Sequence, residues 1–491
     1  MRITIEGNIT PYYVQCLCMS FFPGSKFSDR EEISEETPHL HVSLREEPDE
    51  ETACASAVFD GRHAEKTFRR VCDAESRDKA KKYVVGMAVN AVWQELLDFA
   101  PSWGILTGVR PSKLAMELLH EGKSSDEVRQ TLTREYGIIP KKAALATEIA
   151  GKESSIIRAL PDNSCSIYIS IPFCPTRCAY CSFVSYSTKR LLSMIPAYVD
   201  RLCEDIDRMF ETIERHGQRV TTIYIGGGTP SILTPDQLQT LLSRVERNLG
   251  PERLASLAEY TIEAGRPDTI TAEKLAVAAE HGITRVSINP QTLNERVLEA
   301  IGRRHTVDDF FAAYELARHS GIRYINTDLI AGLPGDSFAS FSATVDKILR
   351  MRPDNLTVHT FAVKKSADIL HSGTEIYSRR GGETSMCVDY SQLRAKGAGY
   401  FPYYIYRQKN TAGNLENVGF ALPGCEGLYN IFIMEEVHSI FAVGAGAVTK
   451  LVAHGGKKIE RHFMPKYPYE YLDMTDADIT RFFGGLDRFY I

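Results

Sequence analysis

The sequence predicts an α/β protein built around a partial (β/α)6 TIM-like barrel, with an N-terminal α/β plus helical region and a C-terminal α+β region. Three observations carry that expectation. Short apolar, β-branched runs alternate with helical patterns from about Ser166 to Phe361, as in a parallel sheet joined by right-handed crossovers. Six such units are present, too few to close an eight-stranded barrel. Polar residues gather where each run passes into its loop, which is the edge that carries active sites in such barrels.

The elements follow in order. Ser-Ile-Tyr-Ile-Ser-Ile from Ser166 opens the series, and a helical stretch runs through Tyr198–Ile213. Thr-Ile-Tyr-Ile from Thr222 leads into Gly226-Gly227-Gly228-Thr229-Pro230, with a helix from Pro235. Tyr-Thr-Ile-Glu-Ala from Tyr260 precedes a helix from Thr271 that stops at His281-Gly282, where glycine suits a helix end. Runs from Arg285, Tyr324 and Asn355 complete the set. Cys174, Gly228, Glu263, Gln291, Asp328 and Ala362 fall at or just past the predicted strand ends.

Residues 1–160 form an accessory region, 161–365 the barrel, and 366–491 a substrate-side region. Residues 1–72 read as an α/β module. Helical patterns then dominate from Arg77 to about Ile157, broken by a Gly- and Pro-punctuated loop at 101–111. This accessory region is expected to cover the barrel mouth or recognise a partner. The last region holds a Gly381-Gly382 turn, an aromatic strand Phe401–Arg407 and the stretch Val-Gly-Ala-Gly-Ala-Val-Thr from Val443.

At 491 residues, 43% apolar and 24% charged, the chain reads as a soluble protein of two or three domains. Its net charge of −6 offers no overall basic field for nucleic acid. No run is long enough to span a membrane and the start lacks a signal pattern. Eleven cysteines, an odd number with three clustered, argue against a disulfide framework and for the cytoplasm.

The three clustered residues are Cys174, Cys178 and Cys181, in Ile-Pro-Phe-Cys-Pro-Thr-Arg-Cys-Ala-Tyr-Cys-Ser-Phe. A [4Fe–4S] cube takes one thiolate per iron, so three leave one iron free to bind a ligand. Two other readings stand beside this one. Free cysteines are often simply buried, and zinc would want a fourth ligand nearby, whereas His216 and His281 lie far along the chain. The cluster reading leads.

Gly226-Gly227-Gly228-Thr229-Pro230 lacks the lysine of a phosphate loop and the spacing of a dinucleotide fold. It reads as a cradle for a small ligand's amino group, or as a tight turn. Glu263 can take a ribose hydroxyl or pair with Arg266. Gln291, Arg303 and Asp328 form a polar set suited to a carboxylate and a ribose, and Arg304 reads equally as a solvated charge. Tyr168 is a candidate contact or a core aromatic. Lys364, Lys365, Arg407, Lys409 and Lys450 are candidate cations for a substrate with several carboxylates, or ordinary surface charges.

The cysteine spacing followed by Gly-Gly-Gly-Thr-Pro resembles the radical S-adenosylmethionine (SAM) superfamily. Tyr-Ile-Ser-Ile-Pro-Phe-Cys, Ile-Gly-Arg-Arg-His, Thr-Asp-Leu-Ile-Ala-Gly-Leu-Pro-Gly and Val-Gly-Ala-Gly-Ala resemble motifs of the oxygen-independent coproporphyrinogen III oxidase group, in its order, across about residues 166–450. Trp-Gly-Ile-Leu-Thr-Gly-Val-Arg-Pro and Glu-Asn-Val-Gly-Phe-Ala-Leu-Pro-Gly are similar to its HemZ-type branch, the coproporphyrinogen dehydrogenases.

The resemblance implies that Cys174, Cys178 and Cys181 ligate a [4Fe–4S] cluster whose open iron binds SAM. It implies hydrogen abstraction from propionate side chains of coproporphyrinogen III, loss of carbon dioxide and formation of vinyl groups, giving protoporphyrinogen IX in haem biosynthesis. It also implies two SAM molecules. Tyr168, Gly227 and Glu263 match contacts to the first; Tyr180, Gly228, Thr229, Gln291, Arg303, Asp328 and Ala362 match contacts to the second, with Val448 as a further contact. The implied partners are a porphyrinogen or haem and a flavodoxin- or ferredoxin-like electron donor.

Two positions depart from the decarboxylating members: Ser170 stands where they carry histidine and Phe183 where they carry a fourth cysteine. Both look more like the haem-trafficking relatives. Three functions are therefore in view: coproporphyrinogen decarboxylation, haem delivery by a chaperone that keeps the cluster, and radical chemistry on haem itself.

Overall fold

The structure is a computed structural model describing residues 1–27, 37–181, 185–362, 382–408, 411–453, 456 and 458–490. Strands β1 (Arg2–Glu6), β2 (His39–Glu46), β3 (Glu50–Phe59) and β4 (Arg62–Val71) make one sheet in sequence order. The β2 and β3 residues Leu40, Val42, Ala53 and Ala55 alternate inward onto the helices Pro11–Met19 and Arg77–Leu97. Phe22 and Trp93 meet edge to face at 4.8 Å in that core. Three further helices, Pro111–His120, Ser125–Tyr136 and Pro140–Arg158, lead to the barrel.

The barrel strands are β5 (Ser164–Ile171), β6 (Arg219–Gly227), β7 (Glu259–Glu263), β8 (Arg285–Ser287), β9 (Tyr324–Ala331) and β10 (Asn355–Thr360). Each pairs in parallel with the next. The expected partial barrel of six parallel units is the fold observed. The helices between the strands start where the sequence supplies caps. Thr234 accepts from Gln237 N, with Pro235 in the first turn, and Thr271 accepts from Lys274 N.

Five more strands lengthen this sheet: β11 (Phe401–Arg407), β12 (Glu416–Ala421), β13 (Ser439–Val443), β14 (Val448–Ala453) and β15 (Lys458–Phe463). β12 lies antiparallel to β10 with β11 outside it, while β13 runs parallel to β5 and is followed by β14 and β15. The region after residue 382 thus occupies both edges of the barrel sheet. The outward faces, with Ile167, Ile223, Ile262, Val286, Ile325 and Val358, pack into the main core. The inward faces carry Ser166, Tyr168, Tyr224, Glu259, Glu263, Arg285, Asn326 and Asp328. An apolar interior would make a packed barrel core; here polar side chains take that place.

The accessory region meets the barrel at β11, β12 and the helix Leu428–Glu435. Arg407 N donates to Val109 O at 2.7 Å and Trp103 Nε1 to Glu416 Oε2 at 2.9 Å. The buried Lys142 ammonium pairs with Glu416. No described helix is long and apolar enough to cross a membrane.

Candidate functional site

Cys174, Cys178 and Cys181 lie on the loop after β5, and all are free thiols. Neighbouring backbone holds the loop from two sides. Cys174 N donates to Tyr186 O at 3.0 Å, and Ala179 N to Ile301 O at 3.0 Å. From the glycine loop after β6, Gly228 N reaches Ile171 O and Thr229 N reaches Phe173 O, both at 2.8 Å. A Cβ on Gly228 would stand 2.5 Å from Phe173 O, so this close approach requires glycine. Gly227 adopts φ +112°.

Polar groups converge on the thiols. Thr229 Oγ1 donates to Cys174 Sγ at 3.3 Å, and burial pushes the Cys174 thiol up. Arg266 Nη1 lies 3.8 Å from Cys178 Sγ. The Arg266 guanidinium is fixed by Asp268 at 3.2 Å and by Thr176 Oγ1 at 3.0 Å. Arg303 donates to Gly265 O and Asn289 O at 3.1 and 2.6 Å. Burial works against the Arg303 charge, but Tyr180 and Cys178 beside it hold it protonated.

A second group lines the inner wall. Tyr224 OH donates to Glu263 Oε1 at 2.5 Å. Burial, reinforced by Asp328, raises the Glu263 carboxyl from 4.5 to about 7. Asp328 Oδ2 lies 3.6 Å from His359 Nε2, and His359 Nδ1 meets Tyr406 OH at 2.9 Å. Tyr168 stacks on Tyr224 at 6.2 Å and Tyr224 on Tyr429 at 4.5 Å. Gln291 N donates to Asp328 O at 3.1 Å, and its φ of +68° is strain typical of functional loops.

The structure thus gathers the cysteines with Thr229, Gly227, Gly228, Tyr180 and Arg303, and brings Tyr168, Glu263, Gln291 and Asp328 to the adjoining wall. Ala362 bridges to Thr411 just past β10. Val448 starts β14, exposed and opposite Phe463, with β13 between it and the Tyr168 strand. Arg266 does not pair with Glu263. Tyr224, Arg266, His359 and Tyr429 also lie at this site, and no sequence motif marks them as ligands. Tyr224 was findable, because it sits two residues before Gly226 on the inward face of β6.

Two expected cations are corrected. Arg407 is buried and donates to Leu106 O at 2.5 Å and Asn414 O at 3.4 Å, and burial lowers it to about 10. It fastens the accessory loop to β11. Lys450 pairs with Glu436 at 3.0 Å and donates to Ile433 O, so it is also a strut. Lys364, Lys365, Lys409 and Phe183 lie outside the described residues.

A family model for the radical SAM superfamily matches residues 168–348. The chain is 36% identical over 446 residues to the oxygen-independent coproporphyrinogen-III oxidase-like protein HemZ of Bacillus subtilis, covering 89% of this chain and 88% of that protein. The chain belongs to this oxidase-like family of radical SAM proteins. It is also 36% identical over 200 residues to the heme chaperone HemW of Bacillus subtilis, covering 40% of this chain and 51% of that one. Anaerobic coproporphyrinogen III oxidase 1 of Cereibacter sphaeroides is 31% identical over 214 residues, covering 43% and 45%.

The cofactors of a radical SAM protein are a [4Fe–4S] cluster and SAM, and the residues present fit them. Among the described residues no three His, Cys, Asp or Glu side chains converge on a single ion, whereas a cube spreads its thiolates over separate irons. Gln291 Oε1 and Arg303 Nε are buried without a hydrogen-bond partner, which leaves an acceptor and a donor for a polar ligand. The backbone approach at Gly228 would not admit a side chain.

Proposed function

We propose that this radical SAM protein is an oxygen-independent coproporphyrinogen III dehydrogenase, converting propionate side chains to vinyl groups. The observation that carries the reading is the reach of the HemZ match. It extends over 89% of the chain, accessory region included, where the heme chaperone match reaches 40%. When bound, the cluster and SAM supply hydrogen-atom abstraction. Each side chain then loses one hydrogen atom, carbon dioxide and one further electron.

The chain's own residues orient and exclude. Cys174, Cys178 and Cys181 would hold the cluster, with Arg266 and Arg303 offsetting thiolate charge near Cys178. The glycine loop and Thr229 would seat the SAM amino group, and Glu263 a ribose hydroxyl. Gln291, Arg303 and Asp328 would meet a second SAM or the substrate carboxylate. The tyrosines around Tyr224 line the wall and keep bulk water from the reacting centre.

One observation favours a second reading, a haem chaperone. Ser170, where decarboxylating members carry histidine, is buried with its hydroxyl donating to Ala445 O at 2.9 Å, so it presents no acid or base to a substrate. The experiment is anaerobic reconstitution with reductant, SAM and coproporphyrinogen III, followed by mass spectrometry. Stepwise loss of two carboxyl groups supports the dehydrogenase. Deoxyadenosine without vinyl product overturns it, and tight haem binding without SAM turnover establishes the chaperone.

A further inference from the structure

We propose that the surface around the cysteine loop is the docking face for an acidic one-electron carrier protein. The inference rests on the reading above, which requires electrons from outside the chain. A cleft of about 620 Å³ opens beside the loop, with Thr176, Arg177 and Gly302 among its lining residues. Thr176 and Arg177 lie between the ligands Cys174 and Cys178, so this cleft is walled by the cysteine loop itself.

Three exposed guanidiniums line it: Arg177, Arg296 and Arg304. None forms an ion pair with a described residue. Glu295 and Glu299 also line the cleft, Glu295 capping Val307 N at 2.7 Å, so three exposed guanidiniums stand against two carboxylates. This small positive excess runs against the chain's net charge of −6, and a local patch of opposite sign steers a charged partner.

The other flank is aromatic. Tyr467 and Tyr469 are 36% and 39% exposed and stack at 5.3 Å, and Tyr467 meets Tyr186 at 5.5 Å. Lys466 lies over the Tyr467 ring, with Glu470 as the acidic neighbour. Exposed tyrosine beside arginine is the composition of protein interface anchors rather than of a small-anion pocket. Both flanks are hydrogen-bonded to the cysteine loop: Cys174 N to Tyr186 O, and Thr176 Oγ1 to Gly302 O at 3.3 Å. A partner seated on either is separated from the sulfurs by little more than that loop.

The test uses oxidised flavodoxin and a [2Fe–2S] ferredoxin as probes. For the full chain before reconstitution, calorimetry should show binding of at least one probe that weakens with added salt. R296E/R304E should weaken that binding by about tenfold or more, while R69E/K79E on β4 and the neighbouring helix should leave it unchanged. In the reconstituted protein, R296E/R304E should lower carrier-driven SAM cleavage by a similar factor and leave dithionite-driven cleavage within about twofold. Binding of neither probe, or binding insensitive to R296E/R304E, overturns the proposal. So does an equal loss with dithionite, which would place these residues on the cluster or SAM. Absence of dithionite-driven cleavage in the cluster-loaded wild type would instead sink the enzymatic reading, while the calorimetry still judges the face.

Discussion

Glu259 and Glu263 lie four residues apart on β7 and both face the barrel interior, yet their surroundings differ. Glu259, on the floor, pairs with Arg285 at 3.3 Å and accepts from Leu428 N and Tyr429 N at 2.7 and 3.3 Å. The Arg285 Nη groups donate in turn to Asn326 Oδ1 and to the carbonyls of Cys425 and Glu426. Glu263, at the mouth, has the Tyr224 hydroxyl beside it, no ion-pair partner among the described residues, and Asp328 close enough to raise it further. A buried charge that faces an opposite charge holds a fold together, and a buried carboxyl without one is the kind of group functional sites carry. The contrast is consistent with a structural floor and with the ligand role proposed for the mouth.

Substitutions can break or sharpen that contrast. The largest effect belongs to the mouth: Cys181→Ala should abolish the brown chromophore after anaerobic reconstitution while the unloaded chain unfolds at an unchanged denaturant midpoint. Full iron content with intact absorption would refute the ligand assignment. On the floor, Glu259→Gln leaves Arg285 without its counter-charge and should cost about 4 kcal/mol in urea unfolding. The chromophore should remain.

Glu263→Gln returns to the mouth and carries a pH signature. A carboxyl raised from 4.5 to about 7 on folding binds more protons folded than unfolded between those values. Wild-type stability therefore falls as pH rises through that window, by about 3 kcal/mol in all. The glutamine variant should be more stable than wild type by about that amount at pH 8 and equal to it at pH 4.5. A flat difference across pH would show that Glu263 ionises normally. The smallest effect is remote from both layers: Trp103→Phe loses one hydrogen bond to Glu416 and should cost about 2 kcal/mol by thermal unfolding, with no change in cluster content.

Much of the mouth was legible in the sequence because its parts follow short-range rules. The cysteines are neighbours along the chain, the glycines are required by one close approach, and Glu263 and Asp328 sit at strand ends that periodicity marks. The floor was not. Nothing in the sequence marks Arg285 and Glu259 as a pair until β8 is set beside β7 and residues 425–429 pack against them. Arg407 and Lys450 misled for the same reason. A cation in a sequence looks available, and its partners at Leu106 and Glu436 are fixed by folding alone.

The sequence by itself determined the order of strands and helices, the inward polar and outward apolar faces, and the trio of thiols. Those depend on residue type and on periods of two and 3.6. The tertiary structure alone decided that β13 returns to lie beside β5, that β11 and β12 take the accessory helices, and that Ser170 is spent on Ala445 O. Such pairings join residues far apart in the chain, Trp103 and Glu416 by 313 positions, where the cost of bringing chain ends together is met only by the whole packed sheet.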